Sequence, residues 1–360
     1  MATRRDARLS LEQLKRLSKA RVLGLATALP ILLEDSELAK LAAVILSDTG
    51  NSVVAKELPT LPRIAGGDYY KLPLGWFAEK VTVKDFIGTH LRCVNEVPDF
   101  DTYFECLCEL HKRRRKYERI LSAQPIPTML QVSPRALLEF GIIATPALAS
   151  WLAWRKWFFD IDNRAAQETG YLFEPILASA LGGQPYGARN SPIKRVLDEA
   201  KGRQVDCIVG KDAYEFKLRV TIAASGQGRF AEELDFAKDS RKSGFNPILL
   251  VLDPTPNSRL DDLRAEYKRF GGRAYVGDEA WQHLEREAGP TMATLIEKYV
   301  RRPISMLDEH AMELLDLYVS AERDRSSIHF RMSKGKSVHE WTVRRAENPA
   351  LATDADEAEE

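Results

Sequence analysis

The stretch RQVDCIVGKDAYEFKLRV, residues 203–220, holds two short apolar runs interrupted by acids and a lysine. Side chains alternate faces along a strand, so Tyr214, Phe216, Leu218 and Val220 line one side and Glu215, Lys217 and Arg219 the other. The break between the runs is Gly210-Lys211, and a glycine first in a two-residue loop suits a type II′ turn. That loop sets Val209 against Asp212 and, counting back, Asp206 against Glu215. Two carboxylates then face each other across the ladder, with Lys217 two residues along the same face. A three-residue loop would put Asp206 opposite Phe216, on the wrong side. The pattern predicts a hairpin with its acids together at surface-facing positions.

Side-by-side carboxylates repel unless something positive sits between them. Mg²⁺ suits that place, because it takes carboxylate oxygens, keeps several waters and bridges to phosphate. A cation so held acidifies its water and stabilises charge on a phosphoryl oxygen. Lys217 could position the attacking water or neutralise the phosphate. The plainer alternative is a solvated strand face, since acid-x-Lys is a short motif that also arises by chance. An upstream helical stretch adds a further acid, GYLFE, Gly170 to Glu174.

The 360 residues can bury a large core and suggest two domains or one elaborated one. Lys+Arg and Asp+Glu both number 52, so a nucleic-acid surface must be a local patch rather than a global positive charge. No apolar run approaches the roughly 20 residues of a membrane span, and the N-terminus lacks a signal-like apolar stretch. Four cysteines do not make a disulfide framework, which points to free thiols and a cytoplasmic location.

Residues 1–150 read as mostly helical, a region for recognition or dimerisation, with helix candidates at 9–33, 36–50 and 100–122, a loop-rich stretch at 57–76 and a connection at 124–134. From 151 to 300 strands and helices alternate, predicting an α/β (α+β) class with a mixed sheet and helices against it. Here NRAAQETGYLFEPILASALGG reads as a helix ended by Gly182-Gly183, and SPIKRVLDEA as a helix capped by Ser191 with Pro192 at its first position. NPILLVLDP suits a central strand. Residues 301–350 predict a helix through 325 and then a hairpin, and 351–360 an acidic, disordered tail.

These residues resemble the PD-(D/E)XK nuclease superfamily and, within it, the type II restriction endonucleases. TIAASGQGRF and DPTPNS look like the ApaLI-type branch. The resemblance covers about residues 160–290. It implies a Mg²⁺-dependent hydrolase that cuts double-stranded DNA at a specific sequence, acting in the bacterial cytoplasm as a homodimer. Asp206 matches the first metal-binding acid, Glu215 the second, Lys217 the lysine and Glu174 the helical Glu. Val205 stands where the motif has proline. Pro175 directly after Glu174 predicts a kink or restart of the helix and leaves Glu168 as a rival. A repair or junction nuclease of the same fold, or a DNA-binding protein without catalysis, are the alternatives.

Several other features have two readings. SGQGR, Ser225 to Arg229, is a flexible turn or a phosphate and base contact through Gln227 and Arg229. KRRRK, Lys112 to Lys116, reads as a solvated helix face more than a DNA-backbone contact. Cys93, Cys106, Cys108 and His111 lack the paired spacing of a zinc site and read as core residues. Trp151, Trp154 and Trp157 read as a helical packing stripe. The last hairpin, with His329, Arg331, Lys334 and Lys336, could enter a groove or contact a second copy.

Overall fold

The computed structural model describes residues 9–24, 29–52, 54–63, 68–218, 227–256, 258–310 and 314–346. Its N-terminal part is a helical assembly of α1 (Leu11–Arg21), α2 (Asp35–Asp48), α3 (Leu74–Ala78), α4 (Phe86–Glu96), α5 (Phe100–Ala123) and α6 (Met129–Val132). Ser10 and Gln13 form a capping box that starts α1. The helix expected to continue to residue 33 stops at Arg21, where β1 (Val22–Leu23) turns to pair antiparallel with β2 (Ile31–Leu32). Every residue of α2 from Ser36 to Leu46 is buried, as befits a helix apolar on nearly all sides.

The long α7 (Thr145–Ala180) runs without interruption past Pro175, so the restart expected there is absent. It ends at the glycine pair: Gly182 adopts φ +68°, and the Gly183 N–H reaches the Ala178 carbonyl at 2.9 Å. Then come β3 (Gln184–Tyr186), β4 (Lys194–Arg195), β5 (Asp198–Gly202), β6 (Val205–Val209), β7 (Asp212–Lys217), α8 (Gln227–Lys242), β8 (Asn246–Val251), α9 (Ser258–Arg269), β9 (Arg273–Val276) and α10 (Asp278–Ile296). Five of these strands form a mixed sheet of order β3-β6-β7-β8-β9, antiparallel up to β7 and parallel from β7 to β9. Strand β8 is buried almost throughout, as its apolar run predicts.

Helices cover both sheet faces. Cys207, Tyr214, Phe216, Ile248 and Leu250 pack toward α7 and α10, in a cluster that also holds the buried faces of α1, α2, α4 and α5. Ala213, Leu249 and Val251 pack instead on Phe236 of α8 and Leu260, Leu263 and Tyr267 of α9. The helical region and one face of the sheet thus share a single core, and residue 150 falls inside α7.

One helix expected from local signals is a hairpin, and another gives way to a strand partway along. SPIKRVLDEA forms the hairpin β4–β5. Ser191 Oγ does accept a backbone hydrogen, that of Ile193 at 3.1 Å, but Ile193 is buried in the second core and α8 takes the backbone that follows. Lys194 and Val196 donate their N–H groups to Ser243 Oγ and Asp239 Oδ1. The C-terminal helix α11 (Arg302–Glu309) likewise does not reach residue 325. Its expected continuation is strand β10 (Asp316–Ala321), which pairs with β11 (Ser327–Lys334), and β11 pairs with β12 (Ser337–Arg344) as expected. Val319, paired with Phe330, alternates inward and packs half-buried on the cluster of Ile328, Phe330 and Trp157. The tryptophan stripe is graded: Trp157 is buried, Trp154 half-buried and Trp151 exposed. The segment expected as a connection at 124–134 contains α6, and the acidic tail lies outside the described residues.

Candidate active site

The turn between β6 and β7 closes on two residues, with Gly210 at φ +57°, a value that glycine takes without cost. Val209 pairs with Asp212, Ile208 with Ala213 and Cys207 with Tyr214, and that register carried one position further would set Asp206 across from Glu215. Asp206 Oδ2 accepts the Phe216 N–H at 2.7 Å, which locks the acid into the ladder. The expectation of a surface-facing Asp206 is corrected: the residue is buried, because α7 and β3 cover the start of β6. Glu215 is half-buried, and its Oε1 lies 3.1 Å from Lys217 Nζ.

Helix α7 brings a third acid. Glu174 and Asp206 line one open cleft of about 340 Å³, walled also by Tyr171, Tyr186, Gln204 and Arg113. Burial pushes the Asp206 carboxyl well above the usual carboxylate range, and the charges of Glu215 and then Glu174 push it further. Glu174 is raised in the same way, by burial first and Glu215 second, with Lys217 opposing. Lys217 moves up from its ordinary value despite burial, because Glu215 and Glu233 hold its proton.

The rival acid has a different setting. Glu168 receives Arg113 at 2.9 Å and Lys116 at 2.7 Å, both from α5. The KRRRK run is accordingly no solvated face. Lys112 and Lys116 are buried, and Lys112 Nζ donates to the carbonyls of Lys19 and Val22 at 2.8 and 2.9 Å and pairs with Glu109. Arg115 pairs with the buried Glu37. Arg113 also packs its guanidinium over the Tyr171 ring at the edge of the cleft.

The side chains of Gln227 and Arg229, at the start of α8, lie outside the described residues, as do Arg219, Val220, Ser225 and Gly226. All four cysteines are free and buried, and burial raises the thiol pKa of each. On the C-terminal sheet Arg331 pairs with Glu340 and His329 contacts Thr342 and Glu322, all near the surface.

Two residues escaped the sequence reading. Arg113 was legible only as one basic residue among several. Glu233 sits in FAEELDF, where spacing does not tell which of two adjacent glutamates turns inward. Its Oε1 lies 3.2 Å from Lys217 Nζ.

Among the described residues no three His, Cys, Asp or Glu side chains converge as a ready-made metal cage. The donor set fits a hard cation of a different kind: two carboxylates, with the rest of the shell left to water and phosphate oxygen. The acids' upward shifts come first from burial and then from their mutual repulsion, and a bound cation would offset both.

A family model described as ApaLI-like restriction endonuclease matches residues 68–301. The curated type II restriction enzyme ApaLI of Acetobacter pasteurianus is 48% identical over 383 residues, an alignment spanning all of both chains. No solved structure matches.

Proposed function

The chain belongs to the ApaLI-like restriction endonucleases and is a type II restriction enzyme, a hydrolase, and from that premise we propose that the Asp206–Glu174 cleft is where it cuts double-stranded DNA. The observation that carries this reading is the meeting of Asp206, Glu215, Lys217 and Glu174 from two strands and a separate helix. The repair and binding-only alternatives are set aside by the relative's activity and by the intact acid-acid-lysine set.

Asp206 and Glu215 are the residues that would hold Mg²⁺, which when bound supplies charge neutralisation at the scissile phosphate and a more acidic water. Asp206 keeps one oxygen for the ladder and presents the other, so its orientation is preset before DNA arrives. Lys217, permanently charged, orients the attacking water in line with the leaving oxygen and steadies the negative phosphate. Glu174 assists from the cleft wall by accepting hydrogens from the water shell. Arg113 and Tyr171 stand at the same mouth, where a phosphate backbone would pass.

The helical region through residue 150 serves recognition and dimerisation in this reading. A homodimer with two-fold symmetry would cut both strands of a palindromic site. Action in the bacterial cytoplasm is part of the same proposal; among the described residues no helix is long and apolar enough to cross a membrane. Incubating plasmid DNA with the protein, with and without Mg²⁺, tests the proposal. Discrete fragments that appear only with the cation support it, and cation-independent cutting would overturn the metal assignment.

A further inference from the structure

Lys217 has a second carboxylate partner that comes from outside the acid-acid-lysine set. Its Nζ lies between Glu215 Oε1 at 3.1 Å on its own strand and Glu233 Oε1 at 3.2 Å on α8. The other oxygen of Glu233 is buried and has no hydrogen-bond partner among the described residues. Leaving a buried carboxylate oxygen unpaired is unfavourable, so the fold keeps Glu233 here at a cost.

Helix α8 is also held rigidly. Asp239 receives the buried Arg203 at 2.6 Å, Arg203 also donates to the Glu232 carbonyl at 2.9 Å, and Phe236 stacks on Tyr267. The Glu233 carboxylate is thereby aimed at the strand that carries Lys217. A lysine has four flexible carbons, and Glu215 alone would draw the ammonium onto a carboxylate that a cation needs.

We propose that Glu233 is the positioning residue of Lys217, sharing the ammonium with Glu215 and holding it between the two carboxylates so that it does not close onto Glu215 alone. The proposal rests on the reading of Lys217 as the group that orients water. Glu233 does not touch DNA in this account and acts only through Lys217.

The test is a double-mutant cycle with the full-length enzyme on a duplex containing its mapped cut site. Single-turnover cleavage is measured with Mg²⁺, and affinity is measured without divalent cation. Glu233→Ala is expected to slow cleavage about 10- to 100-fold, the scale of a misplaced catalytic group, with affinity unchanged within about twofold. Glu233→Gln keeps an acceptor without charge and is expected to recover part of that loss, remaining several-fold slow. Adding either substitution to Lys217→Ala is expected to slow cleavage no further. Wild-type rates for Glu233→Gln, additive losses in the cycle, or an affinity loss that matches the rate loss would each overturn the proposal. If Glu233→Ala does not fold, the Gln variant decides the question by the same criteria. A Lys217→Ala enzyme that cuts at full speed would instead remove the underlying reading of Lys217, and that outcome is seen independently of Glu233.

Discussion

Glu168 and Glu174 stand less than two turns apart on α7, yet one is matched in charge and the other is not. Glu168 meets Arg113 and Lys116, and its neighbours on α5 are equally well provided: Lys112 with Glu109, and Arg115 with Glu37. Glu174 faces other acids, and Lys217 is the cation set against them. A buried charge kept for stability must be neutralised in place, because an uncompensated one costs several kcal/mol. A site that is to take up a cation and bring it to a polyanion must leave its acids short of positive charge. On the function proposed above, the contrast teaches that the sum of charge around an acid, more than its burial, points to a functional one.

The sharpest way to break this comparison is Asp206→Asn, which keeps the acceptor for the Phe216 N–H but removes the charge. Cleavage is expected to fall about a thousandfold or more, the worth of several kcal/mol of transition-state stabilisation. Circular dichroism should show the fold intact. Near-normal cutting would end the assignment of Asp206.

Next in size is Lys217. Lys217→Ala should bind DNA yet cut roughly a hundredfold or more slowly, as when a transition-state contact is lost. Lys217→Arg should also bind well and cut poorly, because a planar fork cannot occupy the space between Glu215 and Glu233 as a compact ammonium does. Full activity of the Arg variant would show that only charge is needed there.

The two glutamates of α7 give the most direct contrast. Glu174→Gln is expected to lower the cleavage rate about tenfold, a modest acid–base or solvent-shell effect, and to leave urea unfolding nearly unchanged. Glu168→Ala should lower stability by about 3 kcal/mol, since it removes a carboxylate that both Arg113 and Lys116 meet in the interior. Its cleavage rate, measured well below the melting temperature, should fall less than that of Glu174→Gln. The reverse pattern would exchange the two roles.

The smallest expected effect is on stability against pH. Burial would raise Glu109, but Lys112 and Arg113 outweigh it, and Glu37 is lowered likewise by His111, the Glu34 backbone and Arg115. Acids lowered in the fold contribute stability above their ordinary value of 4.5 that is lost as pH falls through the lowered values. Asp206 and Glu174 are raised, so their contribution is present below their ordinary values and is lost as pH rises through the raised ones. Without divalent cation, Asp206→Asn should therefore melt above the wild type at pH 7, and the gap should close as pH falls. A gap that widened toward acid would contradict the raised Asp206.

Where local rules had one solution, they were enough. The side-chain period of two and a glycine-led two-residue turn leave a single register, and the pairs from Val209–Asp212 to Cys207–Tyr214 follow it. The helical spacing of Leu260, Leu263, Tyr267 and Phe270 sets one face: the first three are buried on α9, and Phe270, just past its end, packs half-buried against the same core. Local rules failed where a distant partner outbid them. Ser191 and Pro192 carry a helix-start signature, but Asp239 of α8 and Ser243 just past its end claim the backbone that follows, which forms a hairpin. KRRRK looks solvated until Glu168, far along the chain, and the carbonyls of Lys19 and Val22 are brought against it.

By itself, the sequence determined the class, a mixed sheet between helices, and the acid-acid-lysine arrangement on one hairpin. Periodicity and turn chemistry act between residues a few positions apart, and so can be read along the chain. Only the tertiary structure decided that Asp206 is buried, that Glu174 rather than Glu168 joins the acids, and that Glu233 grips Lys217. Those outcomes depend on which charges α5, α7 and α8 bring together after folding. Coulomb energy in a low-dielectric interior is set by distances in space, to which sequence separation is no guide.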